Sequence, residues 1–245
     1  MPYPNLPWMD ERTIFPSVTQ AWGPETPLPG LLASGGLLTA HTLHAAYRQG
    51  IFPWFSAGQP PLWWSPDPRM VLQVEAFRLH RSLRKTLLQF MRSPRCSIRI
   101  DSQFQQVMQY CAQTPRPGQD GTWIVPSIID AYTELHHAGF AHSVETWIDD
   151  RLVGGLYCVA IGRAVYGESM FTHVNNASKL ALCALVALCQ AQGAPQIDCQ
   201  QATAHLASLG AQEMPRDQFL ATAQVQQQLP AMHWLWQPQH WDHLL

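Results

Sequence analysis

Three polar side chains stand in apolar surroundings in the second half of the chain, and their chemistry suits the handling of an amine or a proton. Asp198 and Gln200 lie two residues apart, and Glu168 lies within the segment Tyr166–Phe171. Residues two apart in an extended chain point to the same side, so we expect Asp198 to accept an N–H bond from the Gln200 amide and to turn its carbonyl outward. Two plainer interpretations stay open: Asp198 caps backbone N–H groups, and Glu168 forms a salt bridge at a strand end.

The segments around these residues predict a meander, a helix and a further strand. Alternating apolar and polar residues predict three antiparallel strands at 140–148, 152–160 and 165–170. A helix from Asn175 or Asn176 to about Gln192 follows, and then a short strand at 196–199. This order predicts an α+β fold with a central, mostly antiparallel sheet.

The first half of the chain predicts shorter elements around an aromatic segment, defined here as residues 47–55 and 63–69. We expect an irregular arm at 1–36, helices at 39–49, 80–92, 102–113 and 126–137, and strands at 70–74 and 97–100. The aromatic segment is too rich in Pro and Gly for a helix or a central strand. Its rings predict either a buried joint between two parts of the molecule or a stacking surface for a planar ligand.

Composition excludes several classes of protein. The chain has 245 residues, 47% hydrophobic and 13% charged, which allows a sizeable core and argues against disorder. Its six cysteines form no CxxC pair and no cluster with His, so we expect no zinc site. The longest apolar run, 180–189, is too short for a membrane span, and the first ten residues lack the plan of a secretory signal. We therefore expect a cytoplasmic monomer with free thiols and no membrane partner.

Basic residues are concentrated in one segment, 69–99. It holds eight Lys or Arg residues against a single acid, Glu75, although the whole chain has a net charge of −2. A solvated helix face normally interleaves acids with bases, so this imbalance favours a polyanion partner such as a phosphate backbone. An unpaired basic face without a partner is the plainer alternative.

Motifs for other reaction classes are missing. The chain contains no GxSxG and no GxxxxGK[ST] sequence. The segment Gln190–Pro195 approaches a CoA-binding loop but fails at its last position, and it ends a helix where pyrophosphate needs a helix start. Two alternatives stay open on the residues alone: a non-enzymatic RNA-binding module and a small-molecule N-acetyltransferase.

Eight motifs together carry a resemblance to a known family. They are Gly50–Phe55, Trp63–Arg69, Gly121–Ile124, Ala141–Glu145, Gly167–Phe171, Asn176–Lys179, Ile197–Gln200 and Ser208–Ala211. In this order and spacing the chain resembles the leucyl/phenylalanyl-tRNA–protein transferases from about residue 30 to residue 220. The resemblance implies a small N-terminal α/β domain at 1–67 and an acetyltransferase-like (GNAT-like) catalytic domain at 68–245.

The resemblance also implies an activity and its partners. It implies transfer of Leu or Phe, with Met as a further candidate, from aminoacyl-tRNA to the N-terminal Arg or Lys of acceptor proteins. Proteins modified in this way are marked for degradation through the N-end rule. By the same resemblance, the reaction is aminolysis of an ester and involves no metal or cofactor.

Residue roles follow from the same resemblance. Asp198 and Gln200 match the catalytic pair, and Glu168 matches the acid that meets the acceptor's cationic residue. Trp54 and Trp123 match aromatic residues beside the 3′-terminal adenosine. The pocket for the transferred side chain would be lined by Leu156, Met170, Leu182, Leu185 and Ile197. The tRNA stem would contact Arg78, Arg81, Arg84 and Lys85, with Arg69 opening the basic segment.

The chain departs from the family pattern at a few positions. Leu37 follows Gly35-Gly36 where the family has Asp, and Thr203 stands where an Asn is common. Leu156 and Leu185 replace bulkier Met and Phe, which predicts a reshaped pocket and a shifted preference among Leu, Phe and Met.

Overall fold

The described part of the molecule contains two β-sheets. The small sheet is formed by strands near the N-terminus, and the large sheet carries the predicted catalytic residues. The computed structural model describes residues 5–10, 14–115 and 122–245. The small sheet contains β1 (Trp8–Met9), β2 (Leu31–Gly35), β3 (Phe52–Pro53) and β4 (Leu62–Trp64) in the order β1-β2-β4-β3. Helix α1 (Ala40–Tyr47) lies between β2 and β3 in the chain, and the Thr39 hydroxyl accepts a bond from the Thr42 N–H at its start.

Seven strands form the large sheet, in the order β11-β5-β10-β9-β8-β7-β6. Their bounds are β5 (Arg69–Gln73), β6 (Cys96–Ile100), β7 (Ala141–Ile148), β8 (Arg151–Ile161), β9 (Ala164–Thr172), β10 (Gln196–Gln200) and β11 (Gln212–Met214). The pair β9 and β10 is parallel, and the other neighbouring pairs are antiparallel. The predicted α+β class with a mostly antiparallel sheet is confirmed.

Helices pack on both faces of the large sheet and enclose two apolar clusters. Their bounds are α2 (Arg81–Arg92), α3 (Phe104–Gln113), α4 (Pro126–His137), α5 (Ala177–Gln192), α6 (Ala204–Ser208) and α7 (Arg216–Gln227). The first cluster joins α1, the small sheet, α3 and α4 to one face of the large sheet. The second cluster, which we call the α5 cluster, packs α5 and α2 against the other face. Among the described residues, no helix is both long and apolar enough to cross a bilayer.

Three local predictions require correction. The arm at 1–36 contains β1 and β2, and all five residues of β2 are buried because it pairs with β4. The aromatic segment contributes two strands, and β4 is an inner strand; Pro53 is tolerated because β3 lies at the sheet edge. Asn176 precedes α5, but its side chain makes no capping bond and instead donates to the Thr86 hydroxyl.

The aromatic segment acts as a joint between the two sheets. Phe52, Phe55, Trp63 and Trp64 are buried in the first cluster together with Tyr166 of the large sheet. Gly121 and the loop at 116–121 lie outside the described residues. The division into domains at 67/68 stays a prediction.

Candidate active site

The predicted site lies where two parallel strands of the large sheet separate. Pairing of β9 with β10 is limited to Ile197 with Val165 and Asp198 with Tyr166, although β9 continues to Thr172. Glu168 and Gln200 therefore come just after the last paired positions, one on each side of a gap in the sheet.

A bulge at the end of β10 presents Gln200 to this gap. Against β5, the register shifts between Asp198 and Gln200, and Gln200 has a positive φ of 59°. The Gln200 backbone N–H donates to Asp198 Oδ1 at 2.9 Å, which holds the turn. Left-handed backbone at a residue other than Gly costs free energy and is concentrated at functional sites. Cys199 lies between Asp198 and Gln200 in the chain. Burial raises the pKa of its thiol to about 12, so the thiol stays neutral.

The Gln200 side chain is oriented by Glu168, which corrects the predicted role of Asp198. Gln200 Nε2 donates to Glu168 Oε1 at 2.7 Å across the gap. Asp198 instead accepts the backbone N–H of Gln200, because the bulge turns the amide side chain towards β9. This contact uses the amide nitrogen of Gln200 and leaves the carbonyl oxygen as its acceptor atom; its contact with a substrate amine stays a prediction.

Asp198 is fully buried in an ion pair with Arg69, which the sequence analysis placed at the opening of a tRNA-binding face. Arg69 Nε donates to Asp198 Oδ1 at 2.8 Å, and Nη2 donates to Oδ2 at 2.6 Å. Both side chains have zero exposure. The bidentate geometry satisfies both carboxylate oxygens, so Asp198 acts on the site through Gln200 and not by direct contact with solvent.

Glu168 is held in its neutral form by its surroundings. Burial raises its pKa to about 8, and the negative charge of Asp198 adds to this, while bonds from the Tyr47 hydroxyl and the Gln200 amide oppose it. The Tyr132 hydroxyl also donates to Glu168 Oε2, at 3.4 Å. Tyr47 and Tyr132 share a hydrogen bond of 2.5 Å, and burial raises the pKa of both phenols well above the ordinary value.

The five predicted pocket residues come together on the face of the sheet opposite Asp198. Leu156, Leu182, Leu185 and Ile197 are buried in the α5 cluster, and Met170 packs against it. Met170 pairs with Leu156 across β8 and β9, and it is the partly exposed member of the five. Because successive side chains of a strand alternate, Ile197 and Asp198 point to opposite faces of the sheet.

Both predicted stacking residues lie at the border of the first cluster. Trp54 and Trp123 are half-buried and pack against this cluster from outside. The Trp54 ring lies at 5.3 Å from that of Trp64, whose Nε1 donates to the Trp54 carbonyl at 2.7 Å. Trp54 is thus fixed in place and still offers part of its ring to solvent.

The basic segment divides into an exposed helix face and paired residues. One face of α2 is exposed and carries the basic side chains Arg81, Arg84, Lys85 and Arg92. The opposite face is buried through Leu83, Leu87 and Phe90. Arg78 is exposed just before this helix. Arg95 and Arg99 form surface ion pairs with Asp149 and Asp150, and Arg69 is buried, so the free positive charge is confined to α2 and its start.

Comparisons with known proteins agree on one family. The family described as leucyl/phenylalanyl-tRNA protein transferase matches residues 71–224, and its N-terminal domain matches residues 36–67. A leucyl/phenylalanyl-tRNA–protein transferase of Albidiferax ferrireducens is 57% identical over 99% of this chain and 95% of that protein. One of Leptothrix cholodnii is 56% identical over 98% of this chain and 95% of that protein. The chain belongs to this family.

One solved structure shows a distant likeness to this chain. The C-terminal domain of a putative lysylphosphatidylglycerol synthetase from Agrobacterium fabrum aligns over 72% of this chain and 56% of that chain. The TM-score is 0.38 and the identity 10%, which is too distant a likeness to inform the site.

A second polar cluster of this family member lies outside the gap. Asp101, His136 and His142 could offer ligand atoms within 4.8 Å of one another. His142 Nδ1 bonds Asp101 Oδ2 at 2.7 Å and His136 Nδ1 bonds the Ala141 carbonyl at 2.8 Å, so both atoms already have partners. His142 Nε2 is buried and has no hydrogen-bond partner among the described residues. A His that binds a metal through Nδ1 needs an acceptor for its Nε2–H group. The cluster therefore fits a structural hydrogen-bond network better than a metal site.

Three residues at the site were not identified from the sequence. Tyr47 lies in α1 and Tyr132 lies in α4, and no local sequence pattern connects either residue to Glu168. Arg69 did carry a signal, because a lone cation followed by Met70, Val71 and Leu72 predicts a buried charge that needs a partner.

Proposed function

We propose that this chain transfers leucine or phenylalanine from aminoacyl-tRNA to the N-terminal Arg or Lys of an acceptor protein. Support comes from the family relationship over almost the whole chain, from the contact between Glu168 and Gln200 at the β9–β10 gap, and from the apolar residues of the α5 cluster near Met170. The product fits the N-end rule of protein degradation. We propose that it works in the cytoplasm as a monomer.

The reaction is aminolysis of an activated ester. The acceptor's α-amine attacks the ester carbonyl, the bond to the ribose 3′-oxygen breaks, and one proton passes from the amine nitrogen to that oxygen. An α-amine with a pKa of about 7.7–8.0 is partly neutral near pH 7, so positioning supplies most of the catalysis. The Gln200 carbonyl orients the amine by accepting its N–H, since the Gln200 amide is fixed on Glu168.

The two faces of the sheet would hold the two substrates. The transferred side chain enters the α5 cluster beside Met170, where aliphatic walls accept Leu, Phe and Met and separate chains that differ by one methylene by about 1–3 kcal/mol. On the other face, Glu168 is held by neutral donors and forms no ion pair among the described residues. A cation at the acceptor's N-terminus would supply the missing charge and favour loss of the Glu168 proton.

Binding of tRNA would use the half-buried rings of Trp54 and Trp123 and the exposed basic residues at α2. Trp54 and Trp123 stack on the terminal adenine, and each such stack contributes about 1–3 kcal/mol. Arg78, Arg81, Arg84 and Lys85 contact phosphates of the acceptor stem without reading its sequence.

A transfer assay with labelled Leu-tRNA tests this function. A protein that begins with Arg should acquire label, and the same protein beginning with Glu should not. Gln200→Ala should lose most of its turnover and keep its affinity for tRNA, whereas Gln201→Ala, at the exposed neighbouring position, should behave like the wild type. Binding of tRNA without transfer by the wild type would refute the proposal and favour an RNA-binding module.

A further inference from the structure

Arg69, in β5 of the large sheet, contacts the small sheet, α7 and Asp198 through one side chain. Its Nη1 donates to the Gly50 carbonyl, after α1, at 3.0 Å. The guanidinium carbon lies 5.1 Å from the ring centre of Phe52 and 4.9 Å from that of Phe219. The group has zero exposure, so its orientation is fixed by these contacts and by its bidentate pair with Asp198.

This guanidinium controls the geometry of the bulge at Gln200. Asp198 Oδ1 accepts from both Arg69 Nε and the Gln200 backbone N–H, so the ion pair sets where that N–H lies. The left-handed conformation of Gln200 then directs its amide to Glu168. A continuous series of contacts therefore runs from the Gly50 carbonyl to the Gln200 carbonyl.

The ion pair is a poor explanation of stability by itself. Desolvation of two buried charges offsets most of their attraction, and apolar replacements of such pairs are often neutral or stabilising. Lys cannot replace the planar, two-pronged contact of Arg. If the ion pair only stabilised the core, a shift of the Asp198 side chain would leave the transfer rate unchanged. If the ion pair positions Gln200, the same shift would lower the transfer rate.

We propose that Arg69 is a positioning residue for the transfer reaction, which sets the Gln200 bulge through Asp198 and connects it to the small sheet. This inference rests on the proposed function. A small displacement of a reacting group costs up to about 100-fold in rate, so Arg69→Lys should lower kcat by about 10- to 100-fold. The KM for Leu-tRNA should stay within about threefold, because Arg69 is remote from the exposed basic face.

The chain offers a matched control in Arg216. Its Nη1 donates to the Ser65 carbonyl at 2.6 Å, and its side chain is 13% exposed, so it also links α7 to the aromatic segment through a largely shielded guanidinium. Its acidic neighbour is Asp67, at 4.0 Å, and not Asp198. Arg216→Lys should reduce stability to chemical denaturation while leaving kcat within about threefold of wild type.

A second readout does not depend on activity. Hydrogen exchange of the Gln200 backbone N–H should accelerate in Arg69→Lys and stay at the wild-type rate in Arg216→Lys. If Arg69→Lys does not fold, Asp198→Asn disturbs the same junction by replacing one acceptor of the guanidinium with a donor, and it should accelerate the same exchange. Unchanged exchange at Gln200 in these variants, or an equal loss of kcat in Arg216→Lys, would overturn the proposal. Suppose that the wild type is inactive, while exchange at Gln200 is accelerated in Arg69→Lys and unchanged in Arg216→Lys. That result would count against the proposed function alone.

Discussion

Glu168 makes the stability of the protein depend on pH in a direction that can be worked out. Its pKa rises from 4.5 to about 8 on folding, chiefly because the carboxyl is buried. Between these pH values the folded protein holds a proton that the unfolded chain has lost, so a rise in pH destabilises the fold. At pH 6 part of this effect is already present, and between pH 6 and pH 9 a further loss of at most about 3 kcal/mol follows.

Replacing Glu168 by Gln removes the ionisation while keeping a carbonyl oxygen for the Gln200 amide. We expect the variant to gain stability relative to the wild type as the pH rises, by at most about 3 kcal/mol between pH 6 and pH 9. For a chain of this length that corresponds to about 6–12 °C in Tm. Urea denaturation at four pH values gives the free energy of unfolding of both proteins directly.

The matched control is Glu134→Gln, which removes an exposed carboxyl from α4, the helix that carries Tyr132. The difference between this control and the wild type should stay nearly constant with pH. A constant difference between wild type and Glu168→Gln would refute the reasoning, since it would mean that Glu168 is ionised at pH 6. An equal pH trend in the control would assign the effect to net charge and not to burial.

Three further predictions test other parts of the site. Asp198→Ala should reduce the free energy of unfolding by about 3–5 kcal/mol in urea denaturation, because it leaves the Arg69 charge buried and unpaired; a loss below about 1 kcal/mol would contradict the buried pair. Arg84→Ala should weaken tRNA binding and reduce its logarithmic salt slope by about one, whereas Arg95→Ala, which removes an ion-paired residue, should change the slope little; equal slopes for the two variants would exclude the α2 face. Trp54→Ala should cost about 1–3 kcal/mol of affinity for the 3′ end in a binding titration, and Trp54→Phe should recover part of it; an unchanged affinity would remove Trp54 from the tRNA site.

Local sequence patterns predicted most of the elements around the site. The three-stranded meander, the helix at 177–192 and the strand after it follow from alternation, apolar spacing and the turn residues between them. The cap at Thr39 and the start of α4 at Pro126 also follow from local chemistry. These features depend on neighbours within a few positions, which is why one sequence suffices to predict them.

What the sequence determined by itself is the set of polar residues at the ends of β9 and β10 and the apolar residues that surround them. The tertiary structure decided how they are paired. Asp198 faces Arg69 across 129 positions of chain, and Glu168 takes the Gln200 amide because the bulge turns that side chain over the gap. Tyr47 and Tyr132 reach Glu168 only because α1 and α4 pack together on one face of the sheet. Such contacts join segments distant in the chain, and their geometry follows from packing, which no local periodicity encodes.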